Sequence, residues 1–233
     1  MTPILSVCLW AAGIVFFTFS FCILAISLPV MPRPVTFSLA RRLFSILIRI
    51  MGIRLKVTGR ENLDPSQTYL LMGNHESLFD LFVIPAALPL TFTGVEAAYH
   101  FKIPVWGYLI RKWGCIPIQR GNLEKAKKSL ELARQTLACG LSIVILPEGH
   151  RTRTGKMAAF KKGPFHLAKA TGAPLVPFGI SGLFEFQRRG GFAITPGVVT
   201  VRIGKPIPAS EYNRLSVEEL REVMFERIQT LSA

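Results

Sequence analysis

Negative charge is scarce in this chain, and over its first 32 residues charge of either sign is missing. Lys and Arg number 28 against 14 Asp and Glu, a formal net charge of +14, while half of the 233 residues are apolar. A chain both greasy and basic suits a membrane surface. The other common use of such charge, nucleic-acid binding, lacks its marks, since no RNP-like, zinc-finger or helix-turn-helix signature is present. Cysteine is sparse too. Cys8 and Cys22 fall in the uncharged segment, and Cys115 and Cys139 show neither a partner pattern nor metal-ligand spacing, so reduced thiols and no metal site are expected. The histidines, at 75, 100, 150 and 166, are too scattered for the spacings zinc uses. A Gly-x-Ser-x-Gly elbow is absent, which argues against a serine nucleophile. No internal repeat or low-complexity linker divides the chain.

The uncharged run from Ile4 to Val30 can span a bilayer core of about 30 Å at 1.5 Å per residue. It has no basic n-region and exceeds the apolar length of a cleaved signal, so it reads as a membrane segment. Gly13, Pro29 and Pro32 permit either a full crossing or a re-entrant hairpin. Arg33, Arg41, Arg42 and Arg49 follow at once. By the positive-inside rule they place the rest of the chain on the cytoplasmic side, with a bacterial inner (cytoplasmic) membrane as the expected address. Between Val35 and Met51 the pattern is that of an amphipathic helix, with Ser38, Arg41, Arg42, Ser45 and Arg49 on an arc of about 100°. Phe37, Leu39, Leu43, Phe44, Ile46, Leu47, Ile48 and Ile50 are then expected at the headgroup and acyl boundary. Packing of the same helix on a domain core is the alternative.

After Gly52 short β-like runs alternate with helical ones, which predicts an α/β fold. Strands are expected at Ile53 to Val57, Thr68 to Met72, Ile116 to Ile118, Ser142 to Leu146, Leu175 to Ile180 and Val199 to Ile203. Helices are expected at Ser77 to Ala87, Pro104 to Trp113, Asn122 to Ala138, Gly163 to Thr171 and Ser216 to Leu231. The organisation is thus a membrane segment with an amphipathic helix over residues 1–52, then one cytoplasmic domain over 53–233 with a central mixed sheet flanked by helices.

The stretch Asn74-His75-Glu76-Ser77-Leu78-Phe79-Asp80 sets a histidine and an aspartate five residues apart, directly after an apolar run. On one continuous helix the two side chains would point roughly 140° apart, at 3.6 residues per turn. They can meet if His75 stays in the loop leaving a strand and Asp80 sits in the first turns of the next helix, with Ser77 as its N-cap. The carboxylate could then hold the imidazole in one tautomer and leave the other ring nitrogen to take a proton. By themselves a turn histidine and a helix-dipole carboxylate explain the same spacing. His100 and His166 have no carboxylate or ligand motif around them and read as structural.

Further blocks follow in order: Gly114-Cys115-Ile116-Pro117-Ile118-Gln119-Arg120, Pro147-Glu148-Gly149-His150-Arg151 and Val176-Pro177. Together with the His75 block, over roughly residues 50 to 210, they resemble the four sequence blocks of the glycerolipid acyltransferases, in particular the bacterial 1-acyl-sn-glycerol-3-phosphate acyltransferases. The third block departs from the family's Glu-Gly-Thr-Arg, with His150 in place of the threonine. The resemblance implies an acyltransferase fold and direct attack by the sn-2 hydroxyl of lysophosphatidic acid on the thioester of acyl-CoA or acyl-carrier protein. Phosphatidic acid would be the product, with no cofactor. His75 would be the base and Asp80 its orienter; Arg120 and Arg151 would take the acceptor phosphate in bidentate fashion. Glu148 would orient the arginine or the glycerol backbone, and Gly149 would make a turn that exposes backbone N–H groups. Lys102 matches a family lysine that could contact the phosphate or the developing oxyanion. The basic run Arg151, Arg153, Lys156, Lys161, Lys162 would suit lipid headgroups, CoA phosphates or acyl-carrier protein. Another lysophospholipid or a lyso-aminolipid as acceptor, or a non-catalytic membrane lipid-binding protein, are the competing readings.

Overall fold

The computed structural model describes residues 3–118 and 123–233. Their strands are β1 (Ile53–Thr58), β2 (Leu70–Gly73), β3 (Phe92–Ala97), β4 (Ile116–Ile118), β5 (Ser142–Ile145), β6 (Leu175–Ser181) and β7 (Gly197–Ile203). They form one sheet in the order β1-β7-β6-β2-β5-β3-β4. Every neighbouring pair is parallel except β6 and β7, so the sheet is mixed as expected. The helices are α1 (Pro3–Val30), α2 (Arg33–Ile50), α3 (Asp80–Ala87), α4 (Trp106–Trp113), α5 (Leu123–Ala138), α6 (Gly163–Thr171), α7 (Leu183–Phe186), α8 (Ala209–Tyr212) and α9 (Val217–Ser232).

Period-two alternation builds a core on each face of the sheet. On β2, Leu71 joins Val83, Val144, Val176 and Ile180 under α2 and α3. Its neighbours Leu70 and Met72 turn the other way, toward Phe165 of α6 and Met224 of α9. A strand buried on both faces reads as a continuous apolar run, which is why Leu70 to Met72 shows no alternation in polarity. Helix α9 begins at a capping box in which Ser216 and Glu219 exchange side-chain and backbone bonds. Strand β3 was not among the expected strands. Thr93, Gly94 and Glu96 break its apolar pattern, and it is held as a strand by pairing with β5 and β4 on its two sides.

The topology fixes where chemistry can gather. Strands β6, β2, β5, β3 and β4 run parallel, so the loops after them open on one edge of the sheet. The chain leaves β2 for β3 on one side and leaves β5 for β6 on the other, which puts a switch point between β2 and β5.

The N-terminal helices share the core on the α3 face. Ser6, Gly13, Ser20 and Ser27 are buried and fall seven residues apart, one narrow stripe of small side chains along α1. Small side chains let α1 approach α2 closely. Most of the remaining circumference is exposed and apolar, including Ile4, Val7, Ile14, Val15, Phe19 and Ile26. By length and composition α1 is able to cross a membrane. Helix α2 departs from the expected headgroup placement: Phe37, Leu43, Leu47 and Ile48 are buried within the protein, and of its apolar residues Val35 and Ile46 are exposed. The helix is amphipathic as its periodicity predicts, but much of its apolar face is taken up by α1, α3 and the sheet.

A Cβ on Gly13 would lie 2.2 Å from Met51 Sδ in the α1–α2 contact. Gly13→Leu should therefore lower the thermal midpoint of the detergent-solubilised protein by several degrees, given the roughly 1–3 kcal/mol typical of overpacking. Ala12→Leu, on the exposed side of the same helix, should leave the midpoint unchanged; equal effects would contradict this packing.

Candidate active site

His75 sits in the loop after β2 and Asp80 opens α3, and the structure brings them together: His75 Nδ1 and Asp80 Oδ2 are 2.5 Å apart. The same Oδ2 accepts from the backbone N–H of Glu76 at 2.9 Å and of Ser77 at 3.2 Å. Burial pushes the Asp80 carboxyl above its ordinary range, and the His75 bond and the two N–H donors oppose that rise. The imidazole is about a quarter exposed, whereas Asp80 is almost wholly enclosed, at 24% and 2%. Engagement of Nδ1 leaves Nε2 as the ring nitrogen for a substrate.

Ser77 is not the helix N-cap expected from sequence. The helix starts at Asp80, and the Ser77 hydroxyl instead approaches the Gln187 carbonyl at 3.4 Å and Oε1 at 3.3 Å. The Asp80 carboxylate reaches back for the N–H groups of the loop, so residues 76 and 77 turn around it rather than entering the helix.

The loop is fastened to both neighbouring strands. Asn74 exchanges two bonds with the backbone of Ile180 on β6, Nδ2 to O at 2.8 Å and N to Oδ1 at 2.7 Å. Glu76 Oε2 accepts from Leu183 N at 2.8 Å and Phe184 N at 3.1 Å, at the start of α7. On the β5 side, Glu148 Oε1 accepts from His75 N at 2.7 Å, and Thr152 N donates to His75 O at 2.8 Å. Neither Asn74, Glu76 nor Thr152 was a candidate from sequence. All three are buried polar residues beside the expected blocks, but their partners lie far away along the chain, out of reach of any local pattern.

The second oxygen of Glu148 accepts from Ala158 N at 2.7 Å, so each oxygen takes a backbone N–H and the side chain ties the His75 loop to the segment after β5. Burial pushes its carboxyl up, against the two N–H donors. Gly149, at φ 72°, makes the tight turn that its type permits. Its N–H donates inward to Leu146 O at 3.0 Å and is not offered to a ligand. Arg151 is half-buried one residue before Thr152, and its carbonyl accepts from Arg189 Nη1 at 3.3 Å. His150 is exposed. Lys102 is exposed at the end of a short 3₁₀ turn, Ala98–Lys102, after β3. Arg120 follows β4 in the sequence and lies outside the described residues. His100 does have a carboxylate partner, contrary to expectation: Glu96 Oε2 is 2.5 Å from its Nδ1, because the 3₁₀ turn folds it back onto the end of β3. Among the described residues no group of three or more His, Cys, Asp or Glu could hold a metal.

Fold and pair together define an α/β protein that presents a histidine–aspartate dyad at the switch point of a mostly parallel sheet. A family model described as Acyltransferase matches residues 54–181, more than half of the chain, and the chain belongs to that family. Similar proteins carry the name 1-acyl-sn-glycerol-3-phosphate acyltransferase. That of Limnanthes douglasii is 32% identical over 72% of this chain and 59% of its own, and that of Cocos nucifera is 29% identical over 77% and 58%. The human alpha form is 31% identical over 68% of this chain and 56% of its own, so the chain spans under two thirds of the length of each. Among solved structures, the 1-acyl-sn-glycerophosphate acyltransferase PlsC of Thermotoga maritima superimposes with a TM-score of 0.81, covering 98% of this chain and 93% of that one. At 24% identity that likeness speaks for the fold.

Burial, with Asp80 nearby, pushes the Glu76 carboxyl from 4.5 up to about 7. A raised carboxyl favours the fold fully below its ordinary value and loses that contribution as pH rises through about 7. Glu76→Gln keeps an acceptor for Leu183 and Phe184 and cannot ionise. Between about pH 5 and about pH 8 the wild type should therefore lose stability relative to the variant, by an amount on the order of 3 kcal/mol or less, read as a falling thermal midpoint. Parallel curves would show that Glu76 does not titrate in this range.

Proposed function

We propose that the protein transfers a fatty acyl group from the thioester of acyl-CoA or acyl-carrier protein to the sn-2 hydroxyl of lysophosphatidic acid, giving phosphatidic acid. The observation that carries this reading is the 2.5 Å contact between His75 Nδ1 and Asp80 Oδ2, in a chain of the acyltransferase family. The names of the similar proteins support the acceptor.

In this reading His75 Nε2 takes the proton of the acceptor hydroxyl as its oxygen bonds to the thioester carbonyl carbon. Asp80 keeps the proton on Nδ1 and stabilises the imidazolium. Collapse of the tetrahedral adduct breaks the C–S bond, and Nε2 returns the proton to the leaving thiolate. The attacking oxygen belongs to the substrate, so no acyl-enzyme forms. Arg151 and Arg120 take the acceptor phosphate, with Lys102 beside them or on the developing oxyanion. Glu148 and Gly149 serve by shaping the loop that carries Arg151 and by fixing the His75 backbone. His150 stands where the family carries threonine and supplies a ring N–H in its place. The exposed Arg153, Lys156 and Lys161 form the surface for the phosphates of CoA or the acidic face of acyl-carrier protein.

The proposed address is the inner membrane of a bacterium, with α1 inserted and the sheet on the cytoplasmic side. The uncharged α1 and the arginines that follow it support this placement.

Purified protein offered a panel of lysolipids with each donor tests the whole reading: phosphatidic acid should be the product. His75→Ala should lower turnover by about 10² to 10⁴, as expected for loss of a general base, with the thermal midpoint retained. Near-wild-type turnover in that variant would remove the mechanism. Arg151→Ala should raise KM for the acceptor more than for the donor, and Arg151→Lys should rescue it only in part for want of the bidentate fork. An effect confined to the donor would move Arg151 to the CoA or carrier-protein surface.

A further inference from the structure

A crevice of about 550 Å³ opens between the C-terminal half of α2, the start of β1 and the end of α3, with Ser45, Arg49, Arg54, Arg60 and Ala86 in its lining. No carboxylate lines it. Arg41 lies on the same face of α2, two turns before Arg49. Arg60 is fixed by Nε to Ala87 O at 2.9 Å and by Nη2 to Ala86 O at 3.2 Å, while Arg41 Nη2 reaches Leu90 O at 3.4 Å. Two guanidinium groups are thus held on carbonyls at and just beyond the end of α3. Burial, and then the nearby Arg60 charge, pulls the Arg41 guanidinium below its ordinary pKa. Arg41 Nε is buried without a hydrogen-bond partner among the described residues. None of the ion pairs formed among those residues reaches Arg41, Arg49, Arg54 or Arg60.

Gathering like charges without a counter-charge works against the fold, and an anion that accepts several charge-assisted bonds offsets it. A phosphate matches these requirements, since guanidinium forks pair with its oxygens two at a time. The crevice is separate from the His75–Asp80 pair. Asp80 opens α3 and Ala86 and Ala87 close it, about 10 Å apart along the axis at 1.5 Å per residue. The crevice also lies beside the helix pair whose outer member, α1, carries the exposed apolar surface.

We propose that this crevice is a second phosphate site, distinct from the acceptor site, which binds a phosphate group through Arg49, Arg54 and Arg60 with Arg41 behind them. The phosphate belongs either to the headgroup of an anionic lipid or to a free phosphate or diphosphate. The site does not depend on the proposed reaction, so its test reads binding rather than turnover.

The full chain carrying Arg151→Ala, which removes a candidate acceptor-phosphate ligand, is reconstituted in phosphatidylcholine nanodiscs. Its thermal midpoint is followed against inorganic pyrophosphate and, separately, against rising phosphatidylglycerol content. The midpoint should climb with at least one of them. Arg60 is tied into the fold, so the crevice is disabled instead by Arg49→Gln with Arg54→Gln, both exposed. That pair should weaken the apparent affinity at least tenfold. Arg214→Gln with Arg221→Gln, which removes the same charge from the α9 side, should leave it unchanged. A response to pyrophosphate alone identifies a free-phosphate site, and a response to phosphatidylglycerol alone a headgroup site. No response to either, an undiminished response in the crevice variant, or an equal loss in the α9-side variant would overturn the proposal.

Discussion

Three donors converge on a single oxygen, Asp80 Oδ2: the His75 ring and the backbone N–H groups of Glu76 and Ser77. A chain leaving a buried strand cannot leave its polar backbone unpaired, and here the next helix supplies the acceptor from its first residue. That convergence winds residues 75–80 around one carboxylate, and the position of the imidazole follows from it. Glu148 repeats the device from β5 and Glu76 from within the loop, each spending its carboxylate on N–H groups of another segment. Buried acid in this chain is structural mortar between strand ends.

The distribution of charge follows from that use. With net charge +14 and three carboxylates enclosed around the His75 loop, the surface is left strongly basic. The enclosed acids lie at the switch point of the sheet, where loops from parallel strands meet, and exposed cations collect around that edge and in the crevice at the far end of α3. Helix α3 therefore separates two environments, the histidine–aspartate dyad at its N-terminus and, at its C-terminus, a cluster of guanidinium groups with no carboxylate partner among the described residues. Its macrodipole suits both ends, since the positive N-terminus favours a carboxylate and the negative C-terminus favours cations.

Helix α1 is more than an attachment. Trp10 packs 5.9 Å from Phe79, the residue before Asp80, and donates to Phe192 O at 2.8 Å; Phe17 meets Phe82 edge-on at 5.5 Å. The apolar helix thus buttresses the back of the loop that carries the dyad, while its exposed side chains present an apolar surface outward. The outward apolar surface of α1 and the shape of the site are joined through this aromatic contact.

By itself the sequence determined the α/β class, most strand positions, the apolar span of α1 and the block that holds His75 and Asp80. These rest on local periodicity, on residue type, or on a motif confined to a few neighbouring residues. The amphipathic pattern of α2 was equally legible, but periodicity records only that one face is apolar, not what covers it; packing decided that α1, α3 and the sheet do. Strand β3 escaped notice because neighbours, rather than its own residues, make it a strand. The tasks of Asn74, Glu76, Glu148 and Thr152 belonged wholly to tertiary structure. Each depends on a backbone group at least 70 residues away or on a turn elsewhere in the chain, and the arginine crevice likewise is assembled from separate segments: α2, β1, Arg60 just beyond it and the end of α3. Side-chain chemistry says what a carboxylate or guanidinium can bind, but only the fold brings it a partner or withholds one.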